Sequence, residues 1–244
     1  MTLTHCLNET CPWSGDPVSV NALTRYRNQV VGFCNPGCRN KFDKAIRLFD
    51  EALEAKGQAT PLKQNFLRLA DYNSWMNQSL YARISTLRDA DYRKDAGAFF
   101  KSVHGTLNHI LVWDTTWLQR FTRHEQRYVS LDAIMNFPKA KSHDQILFDE
   151  FDALLEARVQ VDSILEAFVR ETREADYEMI FTYVISTGES FHKPFGGMIQ
   201  HLLNHQTHHR GQITTLLSQM GVEPGITDLL ERLPDLLPEP KDAA

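Results

Sequence analysis

The chain has 244 residues, of which 42% are hydrophobic and 23% charged, and a formal net charge of −5 at pH 7. That length buries a sizeable core without crosslinks, and the mild acidity gives no electrostatic footprint for nucleic-acid phosphates or anionic lipid. A polar N-terminus and the lack of any run near the eighteen or so apolar residues that span a bilayer point to a cytoplasmic protein that binds neither nucleic acid nor membrane.

All four cysteines fall within the first 38 residues. In a reducing compartment that clustering favours a metal over disulfides. Residues 1–56 are punctuated by Pro12, Gly15, Pro17, Gly32, Pro36 and Gly37 and contain the strand-like Gln29-Val30-Val31-Gly32-Phe33, the texture of a small turn-rich unit. The unit runs into an amphipathic helix over 36–55, with Phe42, Ile46, Phe49 and Leu53 spaced by three or four. Cys6 and Cys11 form one pair and Cys34 and Cys38 another, which satisfies the arithmetic of a tetrahedral structural zinc site. Zinc would supply folding energy that so small a unit cannot draw from its core. Cys6 is the weakest of the four ligands, with His5 or an unused thiol as rivals. A three-cysteine site, or thiols that are simply reactive or buried, are the alternatives.

Gly57, Gln58 and Ala59 read as a linker, and from Thr60 onward the periodicity is helical. Thr60 can cap a first helix with Pro61 at its first position, running to about Leu87. A second is predicted from near Gly97 to Phe121, and a third from about His143 to Glu174. Ile180–Ile185 is β-branched and aromatic, with a turn at 187–190, and fits a short hairpin. A fourth helix is predicted from 194–197 to Met220-Gly221, glycine being a natural terminator. Pro224, Pro234, Pro238 and Pro240 keep the 222–244 tail from continuing as a long helix. Four long amphipathic segments over 60–221 indicate a mainly α four-helix bundle, because each apolar stripe must be buried against the others.

His201, His205 and His209 recur every four residues on the fourth helix, so neighbouring members share a face. His205 and His209 can meet one ion, a geometry that the H-E-x-x-H helix also uses, although residues 206–208 are Gln, Thr and His and supply no such glutamate. An open catalytic site needs a third ligand from elsewhere and a position left for water or substrate. His109, flanked by Leu107, Ile110 and Leu111 on the second helix, is the candidate third ligand; His104, His201 and His208 are alternatives.

The stretches Leu69-Ala70-Asp71-Tyr72-Asn73-Ser74-Trp75-Met76-Asn77, His104 to Leu111 with Asp114 and Trp117-Leu118, and His205-Gln206-Thr207-His208-His209-Arg210-Gly211-Gln212 resemble, in this order, the DinB-like (damage-inducible, YfiT-like) family over roughly residues 60–230. The resemblance implies an up-down-down-up four-helix bundle that binds a divalent ion, zinc or nickel, through His109, His205 and His209. It further implies a metal-dependent enzyme that moves a low-molecular-weight thiol onto a small electrophile. A non-catalytic metal-binding or stress-response protein and a metal-dependent hydrolase are the competing readings. An imidazole-bound dication lowers the pKa of a coordinated thiol or water, which suits either chemistry.

Asp114 and Asn73 are candidates to orient a ligand imidazole, against the simpler reading of solvated helix positions. Arg210 is the candidate contact for an anionic substrate, against an ion pair inside the bundle. Trp75, Trp113 and Trp117 read as core or pocket wall, and Gln212 as a bundle residue without a catalytic role. In the first unit, Phe33-Cys34-Asn35-Pro36-Gly37-Cys38 with Phe42 resembles the closing half of the YHS and TRASH metal-binding modules. Cys11-Pro12-Trp13-Ser14-Gly15 resembles their first knuckle, although the cysteine spacing departs from a tight C-x2-C. A homodimer would suit a bundle with an exposed apolar face, but the sequence locates no such face.

Overall fold

The computed structural model describes residues 2–26, 29–56, 60–185 and 187–235, which divide into two compact units, Met1–Pro61 and Leu62–Ala244. The expected linker at 57–59 and the tail prolines Pro238 and Pro240 lie outside the described residues.

In the first unit, 3-10 turns at Leu3–His5 and Val20–Ala22 lead into an antiparallel hairpin of β1 (Leu23–Tyr26) and β2 (Gln29–Gly32), with Leu23 opposite Gly32. Helix α1 (Pro36–Ala55) occupies the predicted range. Its start follows from sequence chemistry: the Asn35 side-chain oxygen accepts the Cys38 N–H at 3.0 Å, and Pro36 sits at the first helical position, where no N–H is needed. The core is small, with Cys11, Ala22 and Phe33 buried and Phe42, Cys34 and Cys38 packed against them.

The second unit contains α2 (Pro61–Ile84), the single turn α3 (Asp89–Tyr92), α4 (Val103–Phe121), a 3-10 helix at Val129–Asn136, α5 (Phe151–Glu171) and the turn α6 (Glu174–Tyr177). It continues with the hairpin of β3 (Ile180–Val184) and β4 (Ser190–Pro194), α7 (Phe195–Gln219) and a last 3-10 turn at Leu229–Arg232.

Ring and side-chain contacts give the helix directions. Asn108, early in α4, bonds to Leu147 and Phe148 just before α5, while Phe121 stacks on Phe168 near the end of α5, so α4 and α5 run parallel. Phe121 at the end of α4 meets Phe195 at the start of α7, so those two run antiparallel. Tyr81, late in α2, meets Phe151 at the start of α5, and Phe66, early in α2, meets Tyr177 beyond the end of α5. The four long helices therefore run up, down, down, up. Their buried apolar stripes form one core, from Phe66 and Leu80 on α2 through Leu107, Leu118 and Phe121 to Phe168, Phe195 and Leu217.

Two helix starts differ from expectation. The second helix begins at Val103 rather than Gly97, because Gly97 and Lys101 both take positive φ, +74° and +67°, and Ser102 caps the new start by accepting the Gly105 N–H at 3.0 Å. The third begins at Phe151 rather than His143. The buried Asn108 amide accepts the N–H groups of Leu147 and Phe148, at 2.9 and 3.0 Å, and donates to the Phe148 carbonyl at 3.1 Å. Backbone groups that a longer α5 would pair internally are held by that one side chain instead. At the far end of α7, Gly221 takes φ +76° and lets the Val222 N–H return to the Leu217 carbonyl at 2.9 Å. The chain beyond it is tied to α2, with Tyr72 Oη donating to the Thr227 carbonyl at 2.6 Å and Arg232 pairing with Asp71 at 2.8 and 2.9 Å.

Candidate functional site

Where α4 and α7 meet, His109, His205 and His209 turn their Nε2 atoms toward one another. The three separations are 3.3 Å for 109 to 205, 3.2 Å for 109 to 209 and 3.1 Å for 205 to 209. A tetrahedral ion with metal–nitrogen bonds of about 2.0–2.1 Å needs ligand edges of roughly 3.3 Å. The triangle fits that demand with a fourth side left over.

The protonation pattern fits as well. His109 Nδ1 donates to the His143 carbonyl at 2.6 Å and His209 Nδ1 to the Gln212 side-chain oxygen at 2.9 Å. Both acceptors are carbonyl oxygens, so the ring proton belongs on Nδ1 and a lone pair on Nε2. Burial is the main cause that pulls His109 down to about 4 and His205 down to about 3, and it also lowers His209. All three rings are therefore neutral near pH 7, the state a metal requires. Neutral lone pairs this close repel unless a cation lies among them.

The loop before α4 closes one side of the triad. The Phe100 ring stacks on His109 with centroids 3.6 Å apart, reaching back over the first turn of the helix. Gly105 permits this, since a Cβ there would lie 2.1 Å from the Phe100 carbonyl oxygen. The left-handed Lys101 next to Phe100 is a strained non-glycine position beside the cluster. Trp113 also borders the triad, 5.7 Å from His205 and 6.2 Å from His109 between centroids. Sequence reasoning missed Phe100 and the His143 carbonyl, which no spacing rule marks, and assigned Gln212 no part, although it holds His209.

Of the alternative histidines, His104 is buried against Tyr92 and the Phe148 carbonyl, while His201 and His208 are exposed neighbours of His205 and His209. None joins the triangle.

The opposite face of α7 carries a different arrangement, and three expectations are corrected there. Asn73 and Asp114 are not solvated; they are 1% and 0% exposed. Asp114 and Asp162 flank the buried Arg158, the latter at 2.9 Å, and Asp162 accepts from Asn73 at 3.1 Å and from Asn77 at 2.9 Å. Arg210 is not presented to a substrate. It is 3% exposed and donates to Asn73, to Asn77 at 3.2 Å, to Gln206 at 3.4 Å and to Thr207 at 3.2 Å. Burial pushes the Asp114 carboxyl up to about 6 against the pull of Arg158, and draws the Arg210 guanidinium down to about 10. Two arginines and two aspartates balance in charge, and removing either member of a buried pair alone costs about 3–5 kcal/mol because its partner is stranded. Gln206 and Arg210 thus anchor α7 to α2 from behind while His205 and His209 face α4.

In the first unit, the sulfurs of Cys11, Cys34 and Cys38 lie within 4.8 Å of one another. Cys6 is outside that cluster, its thiol 3.6 Å from the Asn8 side-chain oxygen, so the expected set of four is reduced to three. The Ser14 hydroxyl and the Asn35 amide each donate to Cys34 Sγ at 3.2 Å. Burial opposes a thiolate at Cys11, but backbone hydrogen bonds from Cys34, Ser14 and Trp13 and the Ser14 side chain outweigh it and bring the thiol to about 6. Burial and the neighbouring Cys34 and Cys11 raise Cys38. Cys34 precedes α1 and Cys38 lies in its first turn, where backbone N–H groups favour negative charge. The Phe33 and Phe42 rings, 5.1 Å apart, and Trp13 stacked on Phe33 at 5.1 Å form the adjacent apolar wall.

A family model described as the DinB family matches residues 62–235. The curated Protein DinB of Bacillus subtilis (strain 168) is 23% identical over 175 residues, 66% of this chain and 89% of that protein. The crystal structure of a DinB-like protein from Bacillus cereus ATCC 10987 is 21% identical, covers 67% of this chain and 96% of its own, and has a TM-score of 0.48. The family match begins beyond the cysteine unit.

Proposed function

The chain belongs to the DinB family, and from that premise we propose that His109, His205 and His209 hold a divalent ion, zinc or nickel, in a metal-dependent enzyme that transfers a low-molecular-weight thiol to a small electrophile. The observation that carries this reading is the triangle of Nε2 atoms 3.1–3.3 Å apart, two of them held in the ligand tautomer by carbonyl acceptors. When bound, the dication supplies Lewis acidity, which lowers the pKa of an incoming thiol so that a nucleophile is present at neutral pH.

The chain's own groups set the terms of that chemistry. Phe100 and Trp113 exclude water where they border the triad and lower the local dielectric. His109 and His209 have both ring nitrogens committed, so neither serves as a base. The thiol proton leaves to solvent, a sulfur–carbon bond forms, and the electrophile loses its leaving group or takes up a proton. In the first unit, Cys11, Cys34 and Cys38 hold a second ion, zinc, in a structural role.

Full-length protein incubated with a thiol and a model aryl halide tests the enzyme reading. Consumption of the halide should require both added metal and thiol, and should fall at least about a hundredfold in His205→Ala, which removes one metal ligand. Undiminished consumption in that variant sinks the proposal. Metal-dependent consumption without thiol identifies a hydrolase, and bound metal with neither activity a non-catalytic metal-binding protein.

A further inference from the structure

Along α4, His109, Trp113, Thr116 and Arg120 fall on one stripe, spaced by three or four residues. The indoles of Trp113 and Trp117 stack with centroids 6.1 Å apart, and the Arg120 guanidinium lies over Trp117 at 4.6 Å and near Tyr183 at 5.5 Å. At the far end of the stripe is a cavity of about 210 Å³ whose lining includes Thr116, Gln119, Arg120, Arg123 and Lys139. Three cations meet there in a chain of net charge −5. Among the described residues, none of the three has a carboxylate within ion-pair distance. Burial already disfavours the charge on Arg120, with Arg123 nearby adding repulsion, so a bound anion would relieve both.

We propose that this cavity is an anion subsite of the same substrate seam: Arg120, Arg123 and Lys139 receive the carboxylate end of an extended thiol whose sulfur lies at the histidine triad. The inference rests on the thiol-transfer reading above. Size supports it, since about 210 Å³ takes a terminal group rather than a whole ligand, for which about 300–1,000 Å³ is usual. Reach supports it too. Eleven residues separate Arg120 from His109, about 16 Å of helix axis. Both side chains lean toward the N-terminus of the helix, His109 onto Phe100 and Arg120 over Trp117, so the span stays near that value, and the metal–sulfur and guanidinium–carboxylate contacts cover part of it. The segment from Lys139 to His143 borders both ends of this span, with Lys139 at the cavity and the His143 carbonyl at His109.

Full-length protein with zinc kept at the cysteines and cobalt at the histidine triad, titrated with glutathione and separately with glutathione diethyl ester, tests this through the rise that each probe causes in the thiolate-to-cobalt charge-transfer band. Both probes carry the same thiol, and only the first carries free carboxylates. Glutathione should bind about fivefold or more tightly than the ester, and the preference should vanish in R120Q/R123Q and shrink in Lys139→Gln. The cobalt spectrum of each variant reports whether the triad still forms. If R120Q/R123Q loses it, the exposed-site variants Arg123→Gln and Lys139→Gln carry the comparison. Equal affinity for the two probes in the wild type, or a preference that survives the substitutions, overturns the subsite and leaves the thiol reading intact. Cobalt at the triad whose charge-transfer absorption does not rise with either probe overturns the thiol reading and this inference with it.

Discussion

The imidazole cluster draws its members from positions 109, 205 and 209 on two long helices, whereas the thiol cluster draws positions 11, 34 and 38 from a knuckle, a strand end and the first turn of one helix. Around the first, a core spanning four helices and a charge-balanced polar network behind α7 hold the two helices that carry the imidazoles. Around the second, the buried cluster among the described residues is Cys11, Ala22 and Phe33. The same number of candidate ligands is thus backed by a large core in one place and a small one in the other, so on the proposed reading only the second should depend on its ion, because rigidity comes from buried area.

Removing metal should separate the two most sharply. With a strong chelator, hydrogen exchange on the full-length protein should show protection lost throughout the first unit, at amides such as Cys11, Gly15 and Phe33 that now bond to Asp16, Cys11 and Ala22. Amides of α4 and α7 should stay protected, since their stability is that of the bundle core. Cys11→Ser should reproduce the first result without chelator, and Cys6→Ser should not. A first unit that keeps its protection in chelator would break the contrast, and loss of its metal in Cys6→Ser would restore the set of four.

Smaller effects should come from residues that hold the imidazoles in place. Gln212→Ala removes the acceptor for His209 Nδ1 and should weaken metal binding at the triad about 10–100-fold, with zinc at the cysteines unchanged. Gly105→Ala is the more pointed case. Alanine in a helix ordinarily gains about 1 kcal/mol over glycine, but here its Cβ would press on the Phe100 carbonyl and lift that ring from His109. The expected outcome is a lower melting temperature and about tenfold weaker metal binding. Metal titration with both variants checks this, and a stabilised Gly105→Ala with unchanged affinity would show that Phe100 does not support the site.

What the sequence disclosed and withheld follows the same division between local and distant. Four long periodic segments, the hairpin after α5 and the His205/His209 pair are local patterns and were legible, as was α1 from its proline and its apolar spacing. The starts of α4 and α5 were not, because they depend on left-handed Gly97 and Lys101 and on one side chain, Asn108, capturing backbone groups forty residues away. The polar network was hidden for a related reason. Asn73, Asp114 and Arg210 look like surface residues in any window, and only the three helices converging on Asp162 and Arg158 make them interior. Cys6 was misleading in the opposite sense, since its spacing satisfies a rule that the hairpin geometry does not fulfil.

The smallest predicted effect is on pH, and it concerns the metal-free bundle. Burial lowers His109 to about 4 and His205 to about 3, and also lowers His209, His104 and His124, whereas an unfolded chain binds these protons near 6.5. Between 6.5 and the folded values the unfolded state holds more protons, so stability is lost as pH falls through that window. Asp114, pushed up to about 6, and Asp162, also raised, act oppositely. Below about 6 the folded Asp114 carboxyl keeps a proton that an unfolded chain releases down to about 3.9, and Asp162, raised by burial, acts in the same direction, which favours the folded state as pH falls. Five histidines against two aspartates leave a shallow net loss. The urea midpoint of chelated protein, followed by a probe in the bundle, should therefore decline from pH 7 to pH 5. A rising midpoint would mean that the aspartates outweigh the imidazoles and that the polar network, rather than the triad, governs the acid limb of the bundle.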